Sequence, residues 1–196
     1  MCNDIKPFII SVSGISGGGK TTIVSALQEI LHNTEVISFD SYDDMLHKDF
    51  FDWSDRGADY NEWDLSPMIN DVQKAIKKNP EYILLDYPFG YGNTKMANYI
   101  DFAVYVDTPL DIAMARRIIR DYTERSPDRH KIDNLFENLN SSMKAYLIHD
   151  RSMYTQHIDT VKPYCNFIAD GTKAAKDLAK DILEAVTKYK EQIDNL

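Results

Sequence analysis

Cysteine, positive charge and long apolar runs are all scarce in this 196-residue chain. The two cysteines, Cys2 and Cys165, lie near opposite ends, which excludes a CxxC motif and a zinc-finger spacing and argues against a structural disulfide. No apolar run approaches the roughly 18 residues of a membrane span, and the run at residues 8–12 is too short for a signal peptide. We therefore expect a reduced, cytoplasmic protein without a membrane partner.

Basic residues are outnumbered, since 22 Lys and Arg face 31 Asp and Glu, which leaves a net charge of −9. A protein that binds the phosphate backbone of a nucleic acid needs a basic face, so no nucleic-acid partner is expected. The five histidines show no HxxxH or HxH spacing, which argues against a zinc site. An acidic total does not exclude a local basic site for one small phosphate compound.

Short β-rich runs alternate with helical patterns along most of the chain, which is typical of a parallel sheet with helices on both faces. We predict one α/β domain over residues 1–196, with three layers and a five-stranded sheet. Ligands of such sheets bind beyond the carboxyl ends of the strands. The predicted strands are residues 8–12, 35–39, 82–85, 102–106 and 166–169. The predicted helices are residues 20–31, 67–77, 108–122, 132–160 and a last one from Thr172, with Thr108 as an N-cap.

A glycine-rich loop, GISGGGKT, directly follows the first predicted strand and precedes a helix. It fits GxxxxGK[ST], in which glycines let consecutive backbone N–H groups point at a phosphate. In this motif Lys20 reaches the β- and γ-phosphates and Thr21 offers a hydroxyl to Mg²⁺. The motif predicts an ATP site, with Mg²⁺ as cofactor, whose binding residues are Gly14, Ile15, Ser16, Gly17, Gly18, Gly19, Lys20, Thr21 and Thr22.

Two other classes of phosphate-loop protein fit the chain poorly. GTP-binding switch proteins need an NKxD motif and a DxxG motif, and neither occurs. Motor ATPases that act on nucleic acids are usually larger and basic. The remaining class is the small-molecule kinases.

Four further segments extend the similarity beyond the loop segment FIISVSGISGGGKTT: VISFDSYDDM, EWDLSPM, YVDTPLDIAMARRIIRDYTER and ADGT. With them the chain resembles the uridine kinase and phosphoribulokinase family of P-loop kinases, including its nicotinamide riboside kinase branch. The resemblance implies a P-loop NTPase fold with a small helical lid, which we place at residues 116–131, and an acceptor-side segment at residues 41–66. It also implies transfer of the ATP γ-phosphate to a small metabolite, typically to the 5′-hydroxyl of a nucleoside.

Two aspartates follow predicted strands and are candidates for the chemistry. In the similar family, the aspartate at the position of Asp40 faces the acceptor hydroxyl, where a carboxylate can accept the proton and hold a Mg²⁺-bound water. The alternative role of Asp40 is that of a turn former. Asp86 ends the third strand, where an acidic group near Mg²⁺ is expected. The family usually has Glu-Gly there, so Asp86-Tyr87 is a departure.

Substrate contacts are predicted on the acceptor-side segment and just after the third strand. The resemblance places Asp64 on the ribose hydroxyls, although a helix N-cap is an equal alternative and Asp52 competes for the role. Tyr91 is a further candidate contact. Three aromatic residues are expected either to stack a flat base or to pack this segment onto the domain, namely Trp53, Tyr60 and Trp63.

Four arginines lie close together on and after one predicted helix, and guanidinium groups suit the oxygens of a transferring phosphoryl group. By the resemblance, Arg117 approaches the acceptor, while Arg116, Arg120 and Arg125 approach the phosphates, with Arg120 in a catalytic role. The alternative is a solvated face paired with neighbouring acids. The favoured hypothesis is thus a nucleoside or riboside kinase. Two others stay open, an ATP-binding regulator and a kinase for a sugar or vitamin precursor.

Overall fold

Five parallel strands form the centre of the computed structural model, which describes residues 6–42, 50–124 and 132–195. The strand order in the sheet is β2-β3-β1-β4-β5, and every neighbouring pair is parallel. This confirms the predicted five-stranded parallel sheet. The strands are β1 (Phe8–Ser13), β2 (Thr34–Ser38), β3 (Tyr82–Asp86), β4 (Phe102–Asp107) and β5 (Phe167–Asp170).

Helices connect the strands and cover the sheet. They are α1 (Lys20–Ile30), α2 (Phe50–Asp55), α3 (Ser66–Lys77), α4 (Thr94–Ala97), α5 (Leu110–Ile119), α6 (Ile132–Ala145), α7 (Arg151–Val161) and α8 (Ala175–Asp194). Within the described ranges, none of these helices is long and apolar enough to cross a membrane.

Two separate apolar clusters hold the layers together, one on each face of the sheet. Adjacent residues of β1 contribute to opposite clusters, because side chains alternate along a strand: Ile9 belongs to one and Ile10 to the other, and both are fully buried. The first cluster contains α3 and most of the aromatic residues, and the second contains α1 and α8. Each fully buried aliphatic side chain contributes about 1.5–3 kcal/mol, so both clusters stabilise the three-layer arrangement.

The predicted N-cap role of Thr108 is wrong. Helix α5 begins at Leu110, and Pro109 occupies the cap position with an extended ψ of 141°. The buried hydroxyl of Thr108 instead donates a 2.7 Å hydrogen bond to the carbonyl oxygen of Gly18 in the glycine loop. Thr108 therefore ties the end of β4 to that loop rather than starting a helix.

One other predicted helix boundary also differs in the structure. Helix α8 begins at Ala175, three residues after Thr172, because Asp170 accepts hydrogen bonds from the amide and hydroxyl of Thr172 and closes a turn. The long helical region predicted over residues 132–160 is confirmed, since α6 continues into α7 through a π-helical segment, Tyr146–Asp150.

Strand order and direction bring the predicted chemistry to one edge of the sheet. The glycine loop follows β1, Asp40 lies in a 3₁₀ turn directly after β2, and Asp86 is the last residue of β3. Because β1 and β2 both pair with β3 in parallel, these three strand ends are neighbours. This edge is where a parallel α/β sheet binds its ligand.

Candidate active site

The glycine loop between β1 and α1 has a backbone that only glycine adopts easily. Gly17 and Gly19 have φ angles of 77° and 99°, and a Cβ atom on Gly17 would collide with the carbonyl oxygen of Ala113. Among the described residues, none accepts a hydrogen bond from the amide of Gly17 or Gly19. The loop ends at the N-terminus of α1, so these N–H groups and the helix dipole form a site that fits a phosphate group.

A lysine, a hydroxyl and a buried carboxylate lie at the base of this loop. Thr21 donates a 2.6 Å hydrogen bond from its hydroxyl to Asp86, and the Lys20 ammonium donates to the carbonyl oxygen of Ile15 at 3.2 Å. Burial lowers the pKa of Lys20, although the charges of Asp86 and Asp40 oppose this shift. Burial likewise raises the pKa of Asp86, which is only 5% exposed, against the hydrogen bond from Thr21.

Asp40 projects from the turn after β2 and lines the same cavity as Lys20 and Asp86. Its charge acts on both of these groups and on Arg120. In the part of the chain that the structure describes, no set of three acidic, histidine or cysteine side chains forms a metal cluster. Two carboxylates and a hydroxyl nevertheless fit Mg²⁺, which usually completes its shell with waters and phosphate oxygens.

The predicted arginines separate into two groups. Arg116 and Arg120 line the cavity; Arg116 donates to the carbonyl oxygen of Gly171 at 3.1 Å, and Arg120 contacts Asp121 at 2.7 Å. Arg125 lies outside the described residues. The cavity thus has a phosphate side, which we define as residues 14–22 with Asp40, Asp86, Arg116 and Arg120.

Arg117 does not line the cavity, and its guanidinium group reaches α7 and the segment before it. Its Nη1 atom donates to Asp150 at 2.9 Å and to the hydroxyl of Tyr154 at 2.6 Å. The neighbouring residues Arg116 and Arg117 therefore have different surroundings, since Arg116 lines the cavity and Arg117 contacts Asp150 and Tyr154. Arg117 joins α5 to the segment before and within α7, and its approach to the acceptor stays a prediction.

A continuous group of aromatic rings lines the rest of the cavity, which has a volume of about 680 Å³. Tyr60 stacks on Phe89 with ring centroids 4.8 Å apart, and Trp63 contacts Phe89 at 5.1 Å. These rings are buried in the core on one face of the sheet, which confirms the packing alternative; they also line the cavity, and stacking on a flat base stays a prediction. We define the aromatic wall as Phe39, Trp53, Tyr60, Trp63 and Phe89.

Helix α7 supplies a further part of the lining that sequence reasoning missed. Four of its residues face the cavity with helical spacing, namely Met153, Tyr154, Gln156 and His157. The spacing shows that these residues share one face of the helix. Their types are common on ordinary helices and did not predict a binding site. Pro88 and Phe89 also line the cavity and were not predicted. Their position just after the end of β3, where a parallel sheet binds its ligand, is the sequence signal that indicates them.

His157 is held in one neutral form. Its Nε2 atom lies 2.9 Å from the carbonyl oxygen of Pro88, which can only accept, so Nε2 carries the proton. Its Nδ1 atom then accepts from the hydroxyl of Tyr105 at 3.2 Å. Burial lowers the pKa of His157 to about 4. Both ring nitrogens are therefore occupied, and only the ring itself is available to a ligand.

Besides Arg117, three predicted site residues do not line the cavity, namely Asp64, Tyr91 and Gly18. Asp64 is exposed, does not line the cavity, and accepts a 3.0 Å hydrogen bond from the amide of Ser66, whereas Leu65 occupies the N-cap position of α3. Its competitor Asp52 forms an exposed ion pair with Arg56. Asp64 thus closes a turn directly before α3 and does not occupy its N-cap position.

Tyr91 and Gly18 are also outside the cavity lining. Tyr91 donates a 2.7 Å hydrogen bond to Asn166, which also accepts from the amide of Ala103, so Tyr91 fastens the chain before β5 to β4. The amide of Gly18 donates to Ile15 within the glycine loop. Tyr87, where the resemblance has a glycine, is fully buried and does not line the cavity, so its ring leaves the site open.

Comparisons with known proteins agree with this architecture. The family model described as "Phosphoribulokinase / Uridine kinase family" matches residues 59–163, which is more than half of the chain. The uridine kinase of Brevibacillus brevis is 30% identical over 220 residues, covering 97% of this chain and 98% of that protein. The uridine kinase of Anoxybacillus flavithermus is 26% identical over 190 residues, covering 83% of this chain and 85% of that protein.

A solved structure shows the same fold at low sequence identity. A sugar kinase from Janibacter sp. HTCC2649, in an unliganded structure, superposes with a TM-score of 0.53 at 14% identity, covering 92% of this chain and 95% of that one. Together with the sheet order and the glycine loop, this confirms the P-loop α/β fold. By its match to the family model and to these relatives, the chain belongs to the phosphoribulokinase and uridine kinase family and is a small-molecule kinase.

Proposed function

We propose that this kinase transfers the γ-phosphate of ATP, with Mg²⁺, to a hydroxyl group of a nucleoside or related riboside. The observation that carries the proposal is a single cavity in which a phosphate side and an aromatic wall meet at Asp40. Such a cavity offers space for a triphosphate and for a flat acceptor next to each other. The matched relatives are named uridine kinases, which supports a nucleoside as the acceptor class.

The phosphate side fits a bound triphosphate in three respects. The amides of Gly17 and Gly19 have no acceptor among the described residues, and a Cβ on Gly17 has no room. The ammonium of Lys20 and the guanidinium groups of Arg116 and Arg120 supply positive charge around the loop. Guanidinium groups and backbone N–H groups stabilise the charge of a transferring phosphoryl group, and positioning is most of what such an enzyme contributes.

The acceptor hydroxyl would be prepared by Asp40. An exposed carboxylate beside the phosphate side can accept the hydroxyl proton or orient that hydroxyl for in-line attack. Thr21 and Asp86, together with Asp40, supply the oxygen atoms that would hold Mg²⁺. When bound, the metal ion neutralises charge on the β- and γ-phosphates. Lys20 and Arg120 would hold the phosphoryl oxygens in place.

The direct test is a panel of acceptors with ATP and Mg²⁺, measured by release of ADP. The panel contains nucleosides, sugars and hydroxyl-bearing vitamin precursors. Asp40→Asn is expected to lower acceptor-dependent turnover about 100-fold or more, because the amide cannot accept the proton, while the affinity for ATP measured without Mg²⁺ stays unchanged. Asp177→Asn, on the exposed face of α8, is the matched control.

The panel also separates the alternatives. Turnover of sugars or vitamin precursors alone would replace the riboside with another acceptor. Tight ATP binding without acceptor-dependent ADP release for any compound would favour the ATP-binding regulator. Full turnover by Asp40→Asn would remove Asp40 from the proposed role.

A further inference from the structure

The polar groups around the aromatic wall are mostly occupied by the protein itself. The ring nitrogens of His157 contact Pro88 and Tyr105, as described above. The hydroxyl of Tyr60 lies 2.9 Å from the hydroxyl of Thr160, and the Trp53 indole N–H donates to the carbonyl oxygen of Asp59. These groups hold the wall together and are therefore poor candidates for recognising a ligand.

One side-chain amide on this part of the cavity, that of Gln156, keeps free hydrogen-bonding capacity. Gln156 lines the cavity from α7, opposite Ser54 of α2, whose hydroxyl donates a long 3.4 Å hydrogen bond to the Gln156 Oε1 atom. Across the described ranges of the chain, the Gln156 Nε2 atom makes no hydrogen bond. A primary amide offers two N–H donors and a carbonyl acceptor in one plane, so Gln156 can both donate to and accept from a ligand.

The distribution of charged residues around the cavity restricts which ligand groups can bind beside Gln156. Among the described lining residues, every lysine, arginine and aspartate belongs to the phosphate side. A ligand group beside Gln156 therefore meets aromatic rings and neutral polar groups. An ionised group would be poorly stabilised there, whereas a neutral amide-like edge on a flat ring would find complementary hydrogen bonds and ring contacts.

We propose that Gln156, assisted by Ser54, is a specificity-determining residue of the acceptor side, where its amide pairs with a neutral donor–acceptor edge of a planar ring. The class of acceptor is thus a riboside whose ring carries an N–H donor next to an acceptor atom, as uracil and adenine do. This inference rests on the proposed function, because it assigns the acceptor to the aromatic wall.

The test uses two pairs of probes that differ only in this edge, uridine with N3-methyluridine and adenosine with N6,N6-dimethyladenosine. Affinity is measured by calorimetry in the presence of a non-hydrolysable ATP analogue, and kcat/KM is measured separately with ATP. We expect the wild-type protein to prefer the unmethylated member of at least one pair by about 10-fold or more, because a buried polar group left unpaired is costly.

Two variants of Gln156 make the test decisive. Gln156→Leu should reduce the preference within that pair to about twofold or less, chiefly by weakening the parent compound. Gln156→Glu keeps the shape of the side chain but loses the N–H donors, and it should weaken the parent compound about 10-fold. ATP affinity should stay unchanged in both variants, and this result would show that both variants are folded. Gln28→Leu, on the exposed surface of α1, is the matched control.

The outcomes distinguish this inference from the proposed function. Binding with a Gln156-dependent preference, but without turnover, would support the inference and reject the kinase reaction with ribosides. Turnover in which Gln156→Leu keeps the full preference would overturn the inference and leave the proposed function in place. Absence of both binding and turnover for all four probes would reject both.

Discussion

The two sides of the cavity are built in different ways. The phosphate side consists mainly of one short segment, residues 14–22, completed by Asp40 and Asp86 at neighbouring strand ends and by two arginines of the chain after β4. The aromatic wall and the α7 face come from segments that are far apart in the sequence, at residues 39, 53–63, 88–89 and 153–157. One side is thus a local motif, and the other exists only in the folded chain.

This difference determines how each side depends on the rest of the protein. The phosphate side uses backbone N–H groups and a helix N-terminus, which require a particular loop conformation and little else. The aromatic wall belongs to one of the two apolar clusters of the core, so its rings stabilise the fold and shape the site at the same time. Changes on the aromatic side should therefore affect stability and acceptor binding together, whereas changes in the glycine loop of the phosphate side should affect mainly ATP binding.

The largest effect is expected for Gly17→Ala on the phosphate side. A Cβ atom there collides with the backbone oxygen of Ala113 and also strains a φ angle of 77°, so the loop must move and its amides lose their alignment. We expect ATP affinity, measured by calorimetry with Mg²⁺, to fall about 100-fold or more.

The control for this prediction is Gly57→Ala. Gly57 also has a positive φ, of 106°, but no atom lies near the position of an added Cβ. The Gly57→Ala variant should lose roughly 1 kcal/mol of stability because of backbone strain, and it should keep the ATP affinity of the wild type. Equal loss of ATP affinity in both variants would contradict a specific role for the loop at Gly17.

A smaller effect is expected for Phe89→Leu on the aromatic wall. Phe89 contacts Tyr60, Trp63 and Phe39 with ring centroids 4.8–5.5 Å apart, so a leucine removes both the ring contacts and part of the acceptor surface. We expect the acceptor KM to rise about 10-fold while the KM for ATP stays unchanged, and the free energy of unfolding to fall by about 1 kcal/mol.

Phe102→Leu is the matched control for the aromatic wall. Phe102 is equally buried but belongs to the other apolar cluster, where its ring contacts Tyr189 of α8. It should lose a similar amount of stability, read from urea unfolding, without a change in acceptor KM. If both variants raise the acceptor KM equally, the effect comes from general destabilisation rather than from the wall.

The same contrast explains what could be predicted from the sequence. The sheet was predictable because its strands are short buried apolar runs, and the loop because its chemistry depends on consecutive residues. The roles of Gln156 and His157 were not, because they depend on contacts such as those with Ser54 and Pro88, which lie far away in the sequence.

Short sequence patterns also have a physical limit, as Asp64 and Thr108 show. An aspartate two residues before a helix fits a helix cap and a substrate ligand alike, but in the structure Leu65 occupies the cap position and Asp64 closes a turn with Ser66. A threonine before a proline has the pattern of an N-cap, but the extended Pro109 leaves its hydroxyl to the glycine loop. Composition and spacing do not contain this information.

The smallest expected effect is a pH dependence of stability on the aromatic side, from His157. Its folded-state pKa of about 4 is below its ordinary value of 6.5, so the unfolded chain takes up a proton as pH falls through 6.5 while the folded protein does not. Stability from this group is thus complete above pH 6.5 and is lost as pH falls towards 4. Between pH 8 and pH 6 the loss should be about 1 kcal/mol.

Urea unfolding of wild type, His157→Gln and His32→Gln at both pH values checks this. The wild type and His32→Gln, whose substituted side chain is exposed, should lose about 1 kcal/mol more than His157→Gln between pH 8 and pH 6. Equal pH dependence in all three proteins would contradict the neutral, buried form of His157. Since His157 links α7 to the loop after β3 through Pro88, acid should loosen the aromatic side first. As pH is lowered, acceptor affinity should then begin to fall at a higher pH than ATP affinity does. The reason is that no equivalent buried histidine holds the described part of the phosphate side.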